Sequence, residues 1–318
     1  MAKILKIASH LPEEKITNED LSIRFKDWSA DKIYVKTGIK KRSKSKENET
    51  AADLAILAAE KVFKFSDVSK EEIDMLIFVT QTQNQCLPTS ACEIHNSLGL
   101  KKECGAFDIN QGCTGYIYGL FLANNLINNK DIKKILLLTG DTYTKLIDPN
   151  NASVSTLFGD GASATLIVQE DKISSIGCFE FGTDGSKSSL IKCDYAGFRK
   201  SIDNWDSLQM DGANVMNFTL TEVPKAIYSY LKKSDSVIED YDYVIFHQAN
   251  KFILDRLYKK LGILEKGIIH LEDCGNTVSS SIPIAMEKFT NRVNQKKINI
   301  LLVGFGVGLS WGITSVRL

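Results

Sequence analysis

Three short motifs occur twice in this chain, in the same order. Asp74-Met-Leu-Ile-Phe78 returns as Asp242-Tyr-Val-Ile-Phe246, and Ile135-Leu-Leu-Leu138 as Ile300-Leu-Leu-Val303. Phe158-Gly-Asp-Gly-Ala-Ser163 returns as Phe305-Gly-Val-Gly-Leu-Ser310. Each pair alone is weak, because apolar strands resemble one another. Three pairs in register along 318 residues predict two α/β halves of similar topology. We place them at 1–170 and 171–318. No Pro- or Gly-rich linker separates them, so they are expected to share one continuous core.

The remaining pattern fits that frame. Strands are predicted at the N-terminus from Met1 to Ile7 and at 74–80, 135–140, 243–247 and 298–304. The last four are mostly apolar, as strands buried on both faces are. Helical periodicity falls between them at 49–64, 89–98, 114–128, 218–232, 250–261 and 279–293. Strands alternating with helices predict a layered α/β architecture. The polar run Lys40–Glu49 reads as a solvated loop. Lys+Arg and Asp+Glu both number 39, so no charge imbalance points to nucleic acid. No apolar run is long enough to span a bilayer, and the N-terminus lacks the pattern of a signal peptide. Seven scattered cysteines and four histidines without ligand spacing predict reduced thiols in a cytoplasm and no metal site.

Three side chains stand out. Cys113 lies in Asp108-Ile-Asn-Gln-Gly-Cys-Thr-Gly115, just ahead of the apolar run 116–127. A cysteine at a helix start is expected to favour its thiolate. Gly112 is expected to permit a sharp strand-to-helix turn, and Gly115 and Gly119 the close approach of another backbone. His247 follows an apolar strand in His247-Gln-Ala-Asn250. Asn276 sits in the turn signal Gly275-Asn-Thr277. Taken singly, each has an ordinary structural reading: a buried thiol, a core imidazole on a backbone carbonyl, and a turn or helix cap. Gly304-Phe-Gly-Val-Gly308 lacks dinucleotide-binding spacing and reads instead as backbone packed close to a ligand.

Together these residues resemble the thiolase-like condensing enzymes, and most closely the ketoacyl-acyl-carrier-protein synthase III family. Lys36-Thr-Gly-Ile39, Phe158-Gly-Asp-Gly-Ala162, His247-Gln-Ala-Asn250, Gly275-Asn-Thr277 and Gly308-Leu-Ser-Trp-Gly312 carry the likeness, which covers nearly the whole chain. It implies a layered α-β-α-β-α fold and a Cys113–His247–Asn276 triad, with backbone N–H groups of Cys113 and Val307 holding an oxyanion. Thiolases have a second active-site cysteine near the C-terminal glycine turn, and none is found here. Elongating synthases use two histidines, so Asn276 favours the initiating branch.

The resemblance implies decarboxylative condensation of an acyl thioester with a malonyl thioester through an acyl-cysteine. It implies no cofactor beyond coenzyme A or phosphopantetheine thioesters, an acyl carrier protein as partner, a cytoplasmic homodimer, and a place in fatty acid, polyketide or secondary metabolism. The dimer is expected to pair through a strand of the first half. Residues 83–88 would lie at the contact, with Cys86 or Leu87 near the neighbour's acyl pocket. Asn250, Phe252, Lys32 and Met216 are the expected substrate-binding residues. Three positions depart from the family. Lys32 stands where a Trp stacks on adenine, and Ala152 and Phe252 stand near two Arg positions. Val307 also replaces a glycine, though its N–H survives. These departures weaken the grip on a nucleotide and leave room for two other functions: acyl transfer to an alcohol, amine or sugar, and a non-catalytic partner in a condensing complex. Lys251, Arg256, Lys259 and Lys260 would offer a carrier protein a basic face.

Overall fold

A computed structural model describes residues 1–128, 131–170, 174–194, 207–293 and 297–318. Its first half runs β1 (Ala2–His10), β2 (Lys15–Thr17), α1 (Asn18–Arg24), α2 (Ala30–Thr37), β3 (Lys41–Ser43), α3 (Ala51–Lys64), β4 (Met75–Val79), α4 (Ser90–Leu98), β5 (Gly105–Ile109), α5 (Gly115–Ile127), β6 (Lys134–Asp141), α6 (Ala152–Ser155) and β7 (Gly161–Gln169). Its second half runs β8 (Ile176–Thr183), β9 (Ile191–Lys192), β10 (Gln209–Met210), α7 (Gly212–Lys233), β11 (Tyr243–Phe246), α8 (Lys251–Leu261), α9 (Ser281–Thr290), β12 (Asn299–Gly306) and β13 (Ser310–Arg317).

The repeated motifs occupy equivalent strands. The first sheet has the order β1-β7-β6-β4-β5 and the second β8-β13-β12-β11. In each, an apolar parallel pair (β4 on β6, β11 on β12) is followed by an antiparallel neighbour and an antiparallel edge strand. The counterpart of β5 in the second sheet shrinks to one parallel bridge, Val244 with Gly267. The two sheets fit halves of 1–170 and 171–318, which we propose as the structural units.

Helices α5 and α9 lie between the sheets. Ile117 and Leu120 of α5 and Ile282 and Met286 of α9 share one core with Ile77, Leu137, Ile245 and Leu302. A helix sandwiched this way is apolar on most sides, which is why α5 carries almost no polar face. Helices α3 and α4 cover the outer side of the first sheet, and α7 and α8 that of the second. The result is the expected α-β-α-β-α layering.

Two expectations need correction. Lys40–Glu49 is a solvated loop only in part: Lys44, Lys46, Glu47 and Asn48 are exposed outside any helix or strand. Lys41–Ser43 forms β3 against β2, and Arg42 and Ser43 are fully buried. Arg42 donates from Nε and Nη2 to the Thr156 carbonyl at 2.9 and 2.7 Å, and from Nη1 to Asn18 Oδ1. A charged residue inside a polar run gave no sign of burial. Helix α7 also starts six residues before its predicted beginning. Asp211 caps it by accepting from Asn214 N–H at 3.1 Å, while its first turn, Gly212–Val215, is largely exposed and adds no buried stripe.

Candidate active site

Cys113 sits on the loop between β5 and α5, two residues before the first helical residue. The loop is fixed by close packing. A Cβ on Gly112 would lie 2.4 Å from Gln81 Oε1 and 2.7 Å from Val307 Cγ1. Gly112 is therefore required by space rather than by an unusual φ. Gly115 and Gly119 do not admit another backbone, as expected from sequence. They admit the side chains of Val79 and Leu137, whose methyls would lie 2.4 and 2.6 Å from an added Cβ. That contact seats α5 directly on β4 and β6.

The glycine turn at the end of β12 packs on the cysteine itself. A Cβ on Gly304 would meet Thr114 Cα at 2.9 Å, and one on Gly306 would meet Cys113 Cβ and Sγ at 2.8 Å. This turn is tight because it closes over the thiol. Backbone N–H groups of Val307 and of Cys113 itself face the sulfur and favour its thiolate. Burial opposes them and is larger, so the thiol is pushed up to about 12, with the Asp141 carboxylate adding to the rise. The expected helix-start depression does not prevail: desolvating the anion outweighs the dipole.

His247 follows β11, its N–H bonded to the Val303 carbonyl at 2.8 Å. The ring is 1 % exposed and stands edge-on to Phe305. Nδ1 lies 2.8 Å from Ser281 Oγ, and Nε2 lies 3.4 Å from Asn276 Nδ2. Burial pushes the imidazole down to about 3, against a weaker upward pull from the Val278 backbone, so His247 is neutral.

Asn276 is placed by the first half of the chain. Its N–H donates to the Leu157 carbonyl at 2.9 Å, and its carbonyl accepts from Gly159 N–H at 3.0 Å. Gly159 must be glycine, since a Cβ there would fall 2.1 Å from the Cys274 carbonyl oxygen. The turn reading of Asn276 also holds: Gly275 has φ +75° and Asn276 Oδ1 accepts from Val278 N–H at 2.9 Å. That bond fixes which end of the amide is free, leaving Nδ2 for the site. Val278 adopts φ +51°, a costly conformation for a β-branched residue.

Cys113, His247 and Asn276 line one cavity of about 340 Å³, together with Phe158, Phe305 and Val307. Asn250 also lines it and caps α8 by accepting from Ile253 N–H at 2.9 Å. Met216 does not; Val215 and Thr219 of the same helix take that place, and Met216 packs on the outer core. Lys32 and Phe252 lie outside the cavity wall. Lys32 Nζ donates to the Asp27 carbonyl at 2.8 Å, and Phe252 carries the Arg256 guanidinium 4.1 Å from its ring centre. A second cavity of about 590 Å³ adjoins the first, sharing Tyr143, Ile191 and Val307 as walls. Sequence reasoning missed Tyr143, whose hydroxyl donates to Gln81 Oε1 at 2.6 Å. Nothing in its neighbourhood of sequence marks it. Among the described residues no cluster of potential metal ligands is found and no disulfide joins the cysteines.

Comparison with known proteins gives a consistent result. The family model for 3-oxoacyl-[acyl-carrier-protein] synthase III matches residues 107–185, and that for its C-terminal part matches 231–318. The chain is 36 % identical to a beta-ketoacyl-[acyl-carrier-protein] synthase III of Clostridium perfringens, over 100 % of this chain and 99 % of that one. A solved 3-oxoacyl-(acyl-carrier-protein) synthase III superposes with a TM-score of 0.96 at 42 % identity, covering 100 % of this chain and 99 % of its own. A 3-oxoacyl-(acyl-carrier protein) synthase from Burkholderia xenovorans LB400 gives 0.95 at 33 %, covering 100 % of this chain and 94 % of its own.

Proposed function

The chain belongs to the 3-oxoacyl-[acyl-carrier-protein] synthase III family of condensing enzymes, and from that membership we propose how its own residues divide the work. The reaction is decarboxylative condensation of an acyl thioester with a malonyl thioester through an acyl-cysteine. Cys113 Sγ attacks the acyl thioester carbonyl, the new C–S bond replaces the old one, and the thiol proton ends on the departing carrier thiol. The N–H groups of Cys113 and Val307 hold the tetrahedral oxyanion.

The malonyl thioester then loses carbon dioxide, and the electron pair of the broken C–C bond becomes an enolate. The N–H groups of His247 Nε2 and Asn276 Nδ2 hold its oxygen. Asn276 is a donor here, because an amide has no basic site for proton abstraction. The enolate carbon attacks the acyl-cysteine, and the thiolate leaves and takes a proton from solvent. Its high proton affinity in this buried site favours that last step. Side chains and thioester substrates alone carry this scheme.

The observation that carries the proposal is the convergence of His247 Nε2 and Asn276 Nδ2 in the cavity that Cys113 lines. No observation favours acyl transfer to an alcohol, amine or sugar, or a non-catalytic role. Incubation with acyl and malonyl thioesters tests the reading. One acyl adduct by intact mass, absent in Cys113→Ala, and carbon dioxide released with a β-ketoacyl product are expected. An adduct that survives Cys113→Ala overturns the assignment of the nucleophile.

Homodimerisation and a cytoplasmic location belong to the same proposal. β5 is the outer strand of the first sheet, free to pair with a second copy, and Leu87, in the segment expected at the contact, is 84 % exposed. Among the described residues no helix is long and apolar enough to cross a membrane. Light scattering that returns a dimer mass at micromolar concentration is the expected result.

A further inference from the structure

The contact between His247 and Ser281 bridges 34 residues of sequence and has no part in the scheme above. Ser281 is the first residue of α9 and is 2 % exposed. Its hydroxyl has two hydrogen-bonding neighbours: the N–H of Gln248 at 3.3 Å and His247 Nδ1 at 2.8 Å. A backbone N–H has only a hydrogen to give, so the Gln248 contact occupies a lone pair of Oγ. The hydroxyl hydrogen is then left with Nδ1. Were Nδ1 the protonated nitrogen, its hydrogen would go to Oγ or to the Val278 backbone, and in either case the hydroxyl hydrogen would have no acceptor among the contacts of Ser281. A buried unsatisfied hydroxyl costs about 1–3 kcal/mol.

The Gln248 N–H is itself held in place. Gln248 Nε2 donates to the carbonyls of Phe246 at 2.6 Å and Ile268 at 3.3 Å, and Oε1 accepts from His270 N–H at 2.7 Å. These bonds lock the backbone just past β11. On the other side of the imidazole, Val278 N–H holds Asn276 Oδ1 and turns Nδ2 toward Nε2. Their separation of 3.4 Å is longer than an ordinary hydrogen bond, as suits two donors that await one acceptor.

We propose that Ser281 is a positioning residue for the condensation: its hydroxyl donates to His247 Nδ1, holds the imidazole as the Nε2–H tautomer, and so supplies the second donor to the enolate oxygen. This rests on the reading of His247 as an enolate donor. The neutral state that burial imposes on His247 is the state in which tautomer choice matters.

The test is nitrogen NMR of the full-length protein labelled with ¹⁵N-histidine, the His247 signal being assigned by its loss in His247→Gln. The wild type is expected to show the Nε2–H pattern. Ser281→Ala should lose that preference and slow carbon dioxide release from a malonyl thioester by about tenfold to a hundredfold. That is less than the roughly 10²–10³ lost with a donor itself. Acyl loading of Cys113, read by intact mass, should change by less than about twofold, since loading uses other donors. Ser281→Thr keeps the hydroxyl and should keep the Nε2–H pattern. An Nδ1–H pattern in the wild type overturns the proposal, and that measurement needs no variant to fold. So does Ser281→Ala with unchanged tautomer and unchanged decarboxylation. If instead His247→Ala condenses at the wild-type rate, the enolate-donor reading fails, whatever the tautomer.

Discussion

Asn276 Nδ2 faces His247 Nε2 across 3.4 Å, and the two atoms come from loops that different halves of the molecule hold in place. The asparagine turn is pinned to Leu157 and Gly159 of the first half, and the histidine to Val303 of the second. The site therefore reports on the fit between halves. Asn276→Asp replaces a donor with an oxygen at the point where the enolate oxygen is to sit. Decarboxylation should fall by about 10²–10³ while acyl loading persists. Carbon dioxide release and intact mass on the same sample check this. Equal loss of both steps would mean that Asn276 shapes the site as a whole.

His247 gives a stability signature with a definite sign. In the fold its imidazole is lowered to about 3, and the ordinary value is 6.5. Between these values the unfolded chain binds a proton that the folded chain does not, so the contribution is full above about 6.5 and is lost as pH falls. The loss is about 1.4 kcal/mol per pH unit. Urea titrations of wild type and His247→Gln from pH 8 to pH 5 should show the wild type losing about 2 kcal/mol relative to the variant. A difference that stays constant over that range contradicts a buried neutral imidazole.

Gly306→Ala tests the closure over the nucleophile. Gly306 has φ +152°, and a methyl there would lie 2.8 Å from Cys113 Sγ. Strain and contact both push the sulfur or the turn aside. A misplacement of this size typically costs about 10² in rate, here in the loading step. Rapid-quench loading followed by mass measurement checks it. Wild-type loading in this variant would show that the turn yields freely.

Some of this was legible in sequence and some was not, for physical reasons. β4, β6, β11 and β12 are buried on both faces, so their apolar runs were plain and the repeat followed. β8 is half exposed along most of its length and showed no such run. Cys113, His247 and Asn276 stood out because glycine turns or strand ends flank them. Ser281 and Tyr143 did not, because their roles come from contacts with residues distant in sequence. The thiol's proton affinity was misread because position at a helix start is visible in sequence and desolvation is not.

Arg42 shows the cost of missing burial. Its guanidinium, lowered to about 10 by desolvation, bonds the Thr156 carbonyl and Asn18 under α6 and α1. Arg42→Met keeps much of the volume and leaves those acceptors unpaired. Charge-assisted bonds are worth about 1.5–3 kcal/mol each, so a loss of about 3 kcal/mol is expected from urea unfolding. A change below about 1 kcal/mol would imply that water replaces the guanidinium.

The last prediction concerns the acyl donor. Trp28 lies just ahead of α2, four residues before Lys32. Its ring is engaged: Lys36 Nζ lies 4.4 Å and Lys32 Nζ 5.6 Å from its centre. On α8, the Arg256 guanidinium lies over the Phe252 ring. An adenine would have to displace an ammonium to stack on Trp28. An exposed cation–π contact is worth about 0.5–1 kcal/mol, against roughly 1–3 kcal/mol for a base on an aromatic ring. The net gain is small, so one acyl group should load Cys113 faster from a carrier protein than from coenzyme A. Trp28→Ala should then change coenzyme A loading by less than about threefold, well short of the tenfold or more that a lost stack implies. Loading rates for both donors, in wild type and variant, decide the matter. Faster loading from coenzyme A that collapses in Trp28→Ala would show that Trp28 has taken over the stacking role and that the nucleotide grip is intact.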